Sequence, residues 1–264
     1  MRSTRQRFAL RVISNTFDPS AARGNGLKRI VVPTQSPEDW KRLLAKPDLH
    51  WKAGYSAMTL AQSWEAAHPC VPPEIAAALD SEPILRNLEL LLAIPEYQVN
   101  LPGGQRPSQT DVLALMRGSA GLVAVAVEGK VDEAFGPTVG QKRAEASAGV
   151  DERLAWLIDH LGLDVVPDTV RYQLLHRTAS ALLVAEQFDA AAALMLVHSF
   201  SPTALWFDDF AAFAALFGVE AQVGGVARVG TFGGIPLFIG WCKGDQRFRG
   251  RVEQAHRAER HTVD

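Results

Sequence analysis

A segment with the pattern of a β-hairpin, residues 107–133, constrains the fold of this chain more than any other stretch. It consists of a strand-like run, a Gly-Ser-Ala-Gly turn at residues 118–121, and a second apolar run that ends in Glu128 and Lys130. Successive side chains of a strand point to opposite faces. Glu128 and Lys130 therefore share a face with two alanines, whereas three valines point the other way, towards a core. The small alanines predict an open surface beside the two charged groups.

Asp111 lies in the first strand of this hairpin, so its carboxylate is expected to approach Glu128 across the turn. Magnesium prefers oxygen ligands and takes one or two carboxylates, with water and substrate phosphate in the remaining positions. A bound ion lowers the pKa of a water molecule and neutralises charge on a phosphate, while a lysine such as Lys130 orients that water or stabilises the developing negative charge. The three residues predict a magnesium site that cleaves phosphodiester bonds.

The acid-x-Lys triplet occurs twice in the chain, so the triplet alone is a weak signal. The other copy, Asp39-Trp40-Lys41, lies in a short helix that begins with a capping box at Ser36, where it is explained as a charge pair at a helix end. Only the copy that ends in Lys130 follows an upstream aspartate in a strand-turn-strand context. For that copy the simpler alternative is a surface salt bridge, worth about 0–1 kcal/mol.

Asp111, sixteen intervening residues and then Glu128-Gly129-Lys130 resemble the motif of the PD-(D/E)XK nucleases, the restriction-endonuclease-like superfamily. The resemblance covers roughly residues 82–200, where a helix, three strands, a helical crossover and a fourth strand follow the core order of the family. From about residue 27 the chain is also similar to an uncharacterised bacterial family within that superfamily. One departure is Thr110, which stands where the motif has a proline, a position that varies in the family.

The resemblance implies a role for each residue of the motif. Asp111 and Glu128 are implied as ligands of Mg²⁺ or Mn²⁺, Gly129 as a ligand through its backbone carbonyl, and Lys130 as the catalytic lysine. Some members of the superfamily add an acid from the helix before the sheet, and Glu89 occupies a corresponding place in a helix predicted over residues 82–93. The alternative for Glu89 is a solvated helix face.

A long predicted helix after the hairpin, residues 170–188, carries further polar residues. Gln173 and His176 are three residues apart and so share a helix face, with Arg177 beside them. These three residues are candidates for substrate binding along the phosphate path, and a structural role is the alternative.

The order of predicted elements is helices, three strands, two helices, a strand, a helix and a hairpin. This order predicts an α/β fold with one mixed (α+β) sheet: a restriction-endonuclease-like core with an N-terminal helical region and a C-terminal helix plus hairpin. The predicted single domain spans residues 27–242, with a helical part at 27–81, a core at about 82–200 and an addition at 201–242. Residues 1–26 are expected to be a disordered basic extension, and residues 243–264 a polar tail.

The middle of the chain is acidic. Residues 1–29 carry seven Arg or Lys and one Asp, and residues 243–264 carry six Arg or Lys and four acids. A formal charge of −10 is left for residues 30–242, although the whole chain carries −2. Duplex binding draws much of its free energy from Lys and Arg at phosphates. The composition therefore argues against a broadly basic binding face but leaves room for a local basic groove.

Other features narrow the class of protein. The apolar runs fall short of the roughly 18–20 residues that span a bilayer, so no membrane anchor is expected. Cys70 and Cys242 are widely separated and have no His or Cys at ligand spacing, which predicts neither a disulfide framework nor a zinc site. A reducing cytoplasm fits this cysteine usage best.

Three functional hypotheses follow from the sequence. The first is a magnesium-dependent nuclease, with nucleic acid as its partner and Asp111, Glu128 and Lys130 at its centre. The second is a catalytically silent binding or regulatory protein on the same fold, which the acidic middle of the chain favours. The third is an enzyme that acts on a small phosphorylated ligand. The sequence leaves the oligomeric state open.

Overall fold

One mixed β-sheet organises the protein. The computed structural model describes residues 29–32, 34–104 and 106–250, and the predicted extension at residues 1–26 lies outside this part of the chain. The strands in the described ranges are β1 (Glu89–Val99), β2 (Ser108–Gly118), β3 (Gly121–Lys130), β4 (Ala192–Ser199), β5 (Gly225–Phe232) and β6 (Ile235–Lys243). Their order in the sheet is β1-β2-β3-β4-β6-β5. The predicted class, mixed α/β, is confirmed.

The strand directions follow from the connections between them. β1, β2 and β3 form an antiparallel meander, and a tight turn between Gly118 and Gly121 joins the second strand to the third, as the sequence predicts. β4 runs parallel to β3, and β6 runs parallel to β4, because helices connect these strands across the face of the sheet. β5 and β6 form the antiparallel C-terminal hairpin.

Helices cover both faces of the sheet. They are α1 (Pro47–His50), α2 (Ser56–Ala67), α3 (Pro73–Leu79), α4 (Val139–Arg143), α5 (Ala148–His160), α6 (Tyr172–Gln187) and α7 (Phe207–Ala215). Short 3₁₀ helices add Pro37–Leu43, Pro83–Leu85 and Gln246–Phe248. The α2–α3 side and the α5–α7 side each bury their own hydrophobic cluster against the sheet. None of the helices in the described ranges is long and apolar enough to cross a membrane.

The two faces of β3 pack against different helical layers. Its three buried valines join the cluster that includes α2 and α3, as their alternation predicts. Ala124 and Ala126 belong to the opposite cluster, beneath α6, and are fully buried. The predicted open surface over these alanines is therefore wrong. Short side chains at these positions let α6 approach the sheet closely, and the charged groups follow only at the end of the strand.

The helix predicted over residues 82–93 is wrong. This segment forms the 3₁₀ helix Pro83–Leu85 and then enters β1 at Glu89. Its leucines favour a helix by intrinsic propensity, but an apolar run of this length fits a buried strand equally well. β1 pairs with β2 along almost its whole length. Contacts with a strand that follows later in the chain thus override the local preference.

The polar tail predicted from residue 243 begins later than expected. β6 continues to Lys243, and the 3₁₀ helix Gln246–Phe248 follows. Phe248 is 4 % exposed and joins the cluster on the α2–α3 side. Arg249 donates a hydrogen bond to Asp132 over 2.5 Å. Burial of the Phe248 ring is the physical reason that this segment belongs to the folded unit. Residues 251–264 lie outside the described part of the chain.

Candidate active site

Three carboxylates stand in one row across the first three strands. Val112 pairs with Val127 at this end of β2 and β3. Asp111 and Glu128 are the next residues on the two strands, so they lie opposite each other. The register of β1 and β2 likewise places Glu96 opposite Asp111. All three side chains line the same cleft. The structure thus brings together the two predicted acids and adds a third that the sequence did not reveal.

Glu128 is held by hydrogen bonds to both of its carboxylate oxygens. Lys130 Nζ lies 2.5 Å and Gln173 Nε2 lies 2.6 Å from Oε1, while Arg177 Nε lies 2.6 Å from Oε2. Only 2 % of Glu128 is exposed. Burial alone raises the pKa of this carboxyl, but the charges of Lys130 and Arg177 outweigh burial and keep the pKa below its ordinary value. Glu128 is therefore an ionised acid with a fixed orientation.

Lys130 lies between an acid and an aromatic ring. Besides its bond to Glu128, the ammonium group lies 5.0 Å from the centre of the Phe135 ring, a cation–π distance. Both residues are buried, and both line the cleft. The lysine is thus a positioned positive charge at the end of β3.

Asp111 accepts a hydrogen bond from the backbone of the next strand. Gly129 N lies 2.7 Å from Asp111 Oδ2, and among the described residues Oδ1 has no hydrogen-bond partner. Burial first, and then the charge of Glu128, raises the pKa of Asp111 to about 7. A side chain at Gly129 would crowd this contact, because a Cβ there would lie 3.2 Å from Leu60 Cδ2 and 3.4 Å from Asp111 Oδ2.

Glu96 is the acid that sequence reasoning missed. Its backbone has φ of 54°, an uncommon left-handed conformation for a residue other than glycine. Gln109 Nε2 donates to Glu96 Oε2 over 2.7 Å. Burial first, and then the charges of Asp111 and Glu128, raises the pKa of Glu96 to about 9. The available signal was its place just before the alternating run Tyr97-Gln98-Val99-Asn100, which has the pattern of a strand, but the helix expected upstream concealed its alignment with Asp111.

Two of the α6 residues predicted to bind substrate contact Glu128 in this structure. Gln173 and Arg177 are four residues apart, one helical turn, and both donate to Glu128. Arg177 is 7 % exposed, and its Nη1 also donates to Ser108 Oγ over 2.9 Å. These contacts of Gln173 and Arg177 fit a structural role, which is the alternative to substrate binding that the sequence leaves open. They hold Glu128 while also lining the cleft.

His176 is paired with the first residue of β2. Its Nδ1 lies 2.9 Å from Ser108 Oγ. Ser108 Oγ accepts from Arg177, so its own hydrogen is free to donate to His176 Nδ1. Burial, followed by the charges of Arg177 and other nearby cations, holds the pKa of His176 well below its ordinary value. His176 is accordingly a neutral group in the wall of the cleft.

The cleft has a volume of about 670 Å³. Its floor is formed by the start of β2, the end of β3 and the start of α6. Its outer wall is the segment at residues 44–57, which carries the exposed Leu49 and Tyr55. Glu133 links the wall to the floor, because its carboxylate accepts a hydrogen bond from Ser56 N over 2.8 Å at the start of α2. This volume is large enough for a small organic group such as a nucleotide.

Glu89, the additional acid suggested by the resemblance, does not join the site. It opens β1 at the end away from Glu96, and seven residues of extended strand span roughly 23 Å. Its carboxylate forms ion pairs of 2.9 Å with Arg29 and with Arg117, and it is largely exposed. A role for Glu89 as a metal ligand in this cleft is therefore a wrong prediction.

The donor set at the end of the hairpin fits a hard divalent cation. Asp111 Oδ1 is without a hydrogen-bond partner in the described chain, and Asp111 is only partly buried. The N–H and C=O groups of one strand residue point to the same neighbouring strand, so the Gly129 carbonyl faces the side on which Asp111 lies. Within the described ranges no three His, Cys, Asp or Glu side chains form a ready metal cage. Mg²⁺ does not need one, since one or two carboxylates and several waters suffice.

The fold and site define a mixed α/β protein with a cleft lined by carboxylates, a lysine and an arginine at the end of a β-hairpin. The chain belongs to a family described as a domain of unknown function, DUF6946, whose family model matches residues 33–246. The matched range contains β1 to β6 and every residue of the row of carboxylates. No match was found among curated proteins or among solved structures.

Proposed function

We propose that this protein is a phosphodiester hydrolase of the PD-(D/E)XK type, dependent on Mg²⁺ or Mn²⁺, with a nucleic acid as its substrate. The observation that carries the proposal is the placement of Asp111, Glu128 and Lys130 at the end of one β-hairpin, in a single cleft. Two carboxylates can hold a divalent ion, and a lysine beside them can stabilise the negative charge that develops on a phosphate during metal-assisted cleavage.

The topology of the described chain supports the same proposal. The β1–β3 meander, the α6 crossover and a fourth strand parallel to β3 follow the order that the resemblance implies for roughly residues 82–200. An acid from β2 and an acid-x-Lys triplet on β3 occupy the positions expected for that motif. The helix expected before the meander is reduced to the 3₁₀ helix Pro83–Leu85.

Each residue has a definite task in the proposed reaction. Asp111, Glu128 and the Gly129 carbonyl would hold the ion, which when bound supplies an activated water and neutralises phosphate charge. Lys130, fixed by Glu128, stabilises the negative charge that grows on the phosphate oxygens. Arg177 keeps Glu128 in one orientation through the bond at Oε2. Fixed groups of this kind need little rearrangement when charge develops.

A catalytically silent binding protein is the second candidate, and one observation favours it. Both oxygens of Glu128 are already engaged by cationic or amide donors of the protein itself. A metal ion must share these oxygens or displace one of the donors. A protein that no longer binds a metal at this site would keep Glu128 paired with Lys130, Gln173 and Arg177.

We place the protein in a reducing cytoplasm, as part of this proposal. Cys70 is an exposed free thiol, and Cys242 is free and buried. Free thiols at both positions are the usual state in a reducing compartment.

The test is a cleavage assay with a matched control. Single-stranded and double-stranded DNA and RNA are incubated with wild-type protein in Mg²⁺, in Mn²⁺ and in EDTA. Metal-dependent cleavage is expected for wild type and for the control variant Lys41→Ala. Lys41 belongs to the other acid-x-Lys triplet and lies on the surface, 3.7 Å from Asp48. Lys130→Ala is expected to lose the activity.

Two outcomes would contradict the proposal. Equal cleavage by wild type and Lys130→Ala would point to a contaminating nuclease or to another site. Absence of cleavage together with absence of Mg²⁺ or Mn²⁺ binding in calorimetry would establish the silent binding protein instead.

A further inference from the structure

A second cavity of about 400 Å³ adjoins the active-site cleft. The two cavities share part of their lining, namely Pro107, Tyr172 and His176. We call the second cavity the basic annex, because its charged lining residues are Arg106, Lys142 and Arg153 against Glu145 alone. A ligand in the cleft can therefore extend past His176 into the basic annex.

The charged residues that line the cleft are mainly acidic, whereas those that line the basic annex are mainly cationic. Four carboxylates and two permanent cations line the cleft, and they are Glu96, Asp111, Glu128, Glu133, Lys130 and Arg177. The basic annex carries three cations and one carboxylate. The acidic part suits a metal ion and the basic part suits an anion. This is the local basic groove for which the overall acidic charge leaves room.

Arg153 supplies fixed positive charge to the basic annex. Its guanidinium donates to four backbone carbonyls of residues 101–106, at 2.7–3.2 Å. In the described chain it has no carboxylate partner. Neutral carbonyls orient a guanidinium but do not cancel its charge, so the net charge remains available to an anion. Leu101, Gly104 and Arg106, which accept three of these bonds, also line the basic annex.

Lys142 and Arg106 supply donors that can touch an anion directly. Lys142 Nζ lies 2.6 Å from Glu145 Oε2 and 5.6 Å from the centre of the Tyr172 ring. Glu145 is half exposed, so its pairing with Lys142 is weak and exchangeable. Arg106 is exposed and has no ion-pair partner among the described residues. Arg106 can thus turn towards a bound group, and Lys142 can do so by exchanging its surface pairing with Glu145 for it.

The positive potential extends to the wall shared with the cleft. Burial lowers the pKa of His176, and the charges of Arg177, Arg153, Lys142 and Lys130 lower it further. These four cations lie on both sides of the wall. An anionic group at this point would be attracted by cations on both sides of the wall.

We propose that the basic annex binds a phosphate group of a single nucleic-acid strand, next to the phosphate held in the cleft. The inference rests on the proposed function, since it places the flanking part of the same substrate. Lys142 and Arg106 contact the phosphate oxygens, and Arg153 adds a fixed field behind them. Tyr172 and His176 form the surface along which the strand passes from one cavity to the other.

The test measures binding rather than cleavage. A fluorescent single-stranded oligonucleotide with a 5′-hydroxyl end is titrated with protein in EDTA, at several salt concentrations. We expect the double variant Arg106→Ala/Lys142→Ala to raise the Kd at least about tenfold. The slope of log affinity against log salt should become shallower by roughly 0.7 for each lost phosphate contact on a single strand.

Two further variants make the result specific. Arg228→Ala removes an exposed arginine on β5, at the far edge of the sheet, and is expected to leave the Kd and the salt slope unchanged. Arg106→Lys/Lys142→Arg retains both charges and is expected to restore most of the affinity. Thermal melting of each variant checks that the fold is intact.

Several outcomes would overturn the inference. One is an unchanged Kd and salt slope in the double alanine variant, and another is an equal loss in Arg228→Ala. Binding of inorganic phosphate or a mononucleotide, without binding of the oligonucleotide, would remove the assignment to a strand. Failure of the proposed function alone would give a different result. The oligonucleotide would still bind in a way that depends on Arg106 and Lys142, but neither wild type nor Lys130→Ala would show metal-dependent cleavage.

Discussion

Arg177 on α6 donates a hydrogen bond from Nε to Glu128 Oε2 over 2.6 Å, and the two charges are buried against each other. The same guanidinium reaches Ser108 at the start of β2. One side chain from the crossover helix thus joins both strands of the hairpin at the site. The charge of Glu128 is balanced within the protein, which is why its pKa stays low despite burial.

Removal of this arginine should be strongly destabilising. Arg177→Met leaves the buried carboxylate with fewer partners, and breaking a buried pair in this way costs about 3–5 kcal/mol. Urea denaturation measures the free energy of unfolding. Arg143→Met is the control, because Arg143 forms an exposed pair with Asp168, for which the expected loss is about 0–1 kcal/mol. Similar losses in the two variants would contradict a structural role for the buried pair.

The acids in the row should titrate as neighbours. Asp111→Asn removes one of the two charges that raise the pKa of Glu96, so this pKa should fall below about 9. Carboxyl-carbon NMR titration of Glu96 measures the change. Glu89→Gln is the matched control on the same strand, far from the row, and should leave the pKa of Glu96 where it is. A pKa that stays near 9 in Asp111→Asn would mean that the charge of Asp111 does not contribute to it.

The sequence predicts the part of the site that depends on local geometry. Strand alternation within the hairpin places Glu128 and Lys130 on one face, and the short turn sets the register that brings Asp111 opposite Glu128. Both deductions need only residues that are close in sequence. The same reasoning separates this triplet from the copy at Asp39, which lies in a 3₁₀ helix.

Long-range packing explains what the sequence did not predict. Glu96 enters the row because β1 pairs with β2, a contact that the leucine pattern of residues 82–93 gave no reason to expect. The alanine face of β3 is closed because α6 packs over it, some fifty residues further along the chain. Arg177 was identified by its helix face, but its bond to Glu128 depends on where that helix docks.

Stability of the metal-free protein should fall as the pH rises. The pKa of Glu96 in the folded protein is about 9, above its ordinary 4.5, and that of Asp111 is about 7, above 3.8. At these two groups the folded state therefore binds more protons than the unfolded state between roughly pH 4 and 9, and the stabilisation that they contribute at low pH is lost through this window. His176 acts in the opposite direction only below its ordinary pKa of 6.5.

Denaturation from pH 7 to pH 9 in EDTA isolates this effect. Each proton taken up only by the folded state corresponds to about 1.4 kcal/mol per pH unit, which is the upper limit for the slope from Glu96. Glu96→Gln should flatten the dependence, while Glu89→Gln should follow wild type. Equal slopes in wild type and Glu96→Gln would show that Glu96 does not titrate in this range.

Metal binding should be visible as thermal stabilisation. A ligand that binds only the folded state adds about 2.7 kcal/mol at a concentration one hundred times its Kd, so the Tm should rise with added Mg²⁺ or Mn²⁺. The rise should be larger at pH 8 than at pH 6, because the pKa of Asp111 is about 7 and the acid must lose its proton to serve as a ligand.

Variants separate the ligands of the ion from the lysine that acts on the substrate. Asp111→Asn should abolish the rise in Tm, whereas Lys130→Ala should keep it, because removal of a positive charge does not weaken the attraction of a cation. Glu89→Gln loses only surface ion pairs and should behave as wild type. A rise that survives in Asp111→Asn would place the bound ion elsewhere on the protein and would remove Asp111 from the proposed ligand set.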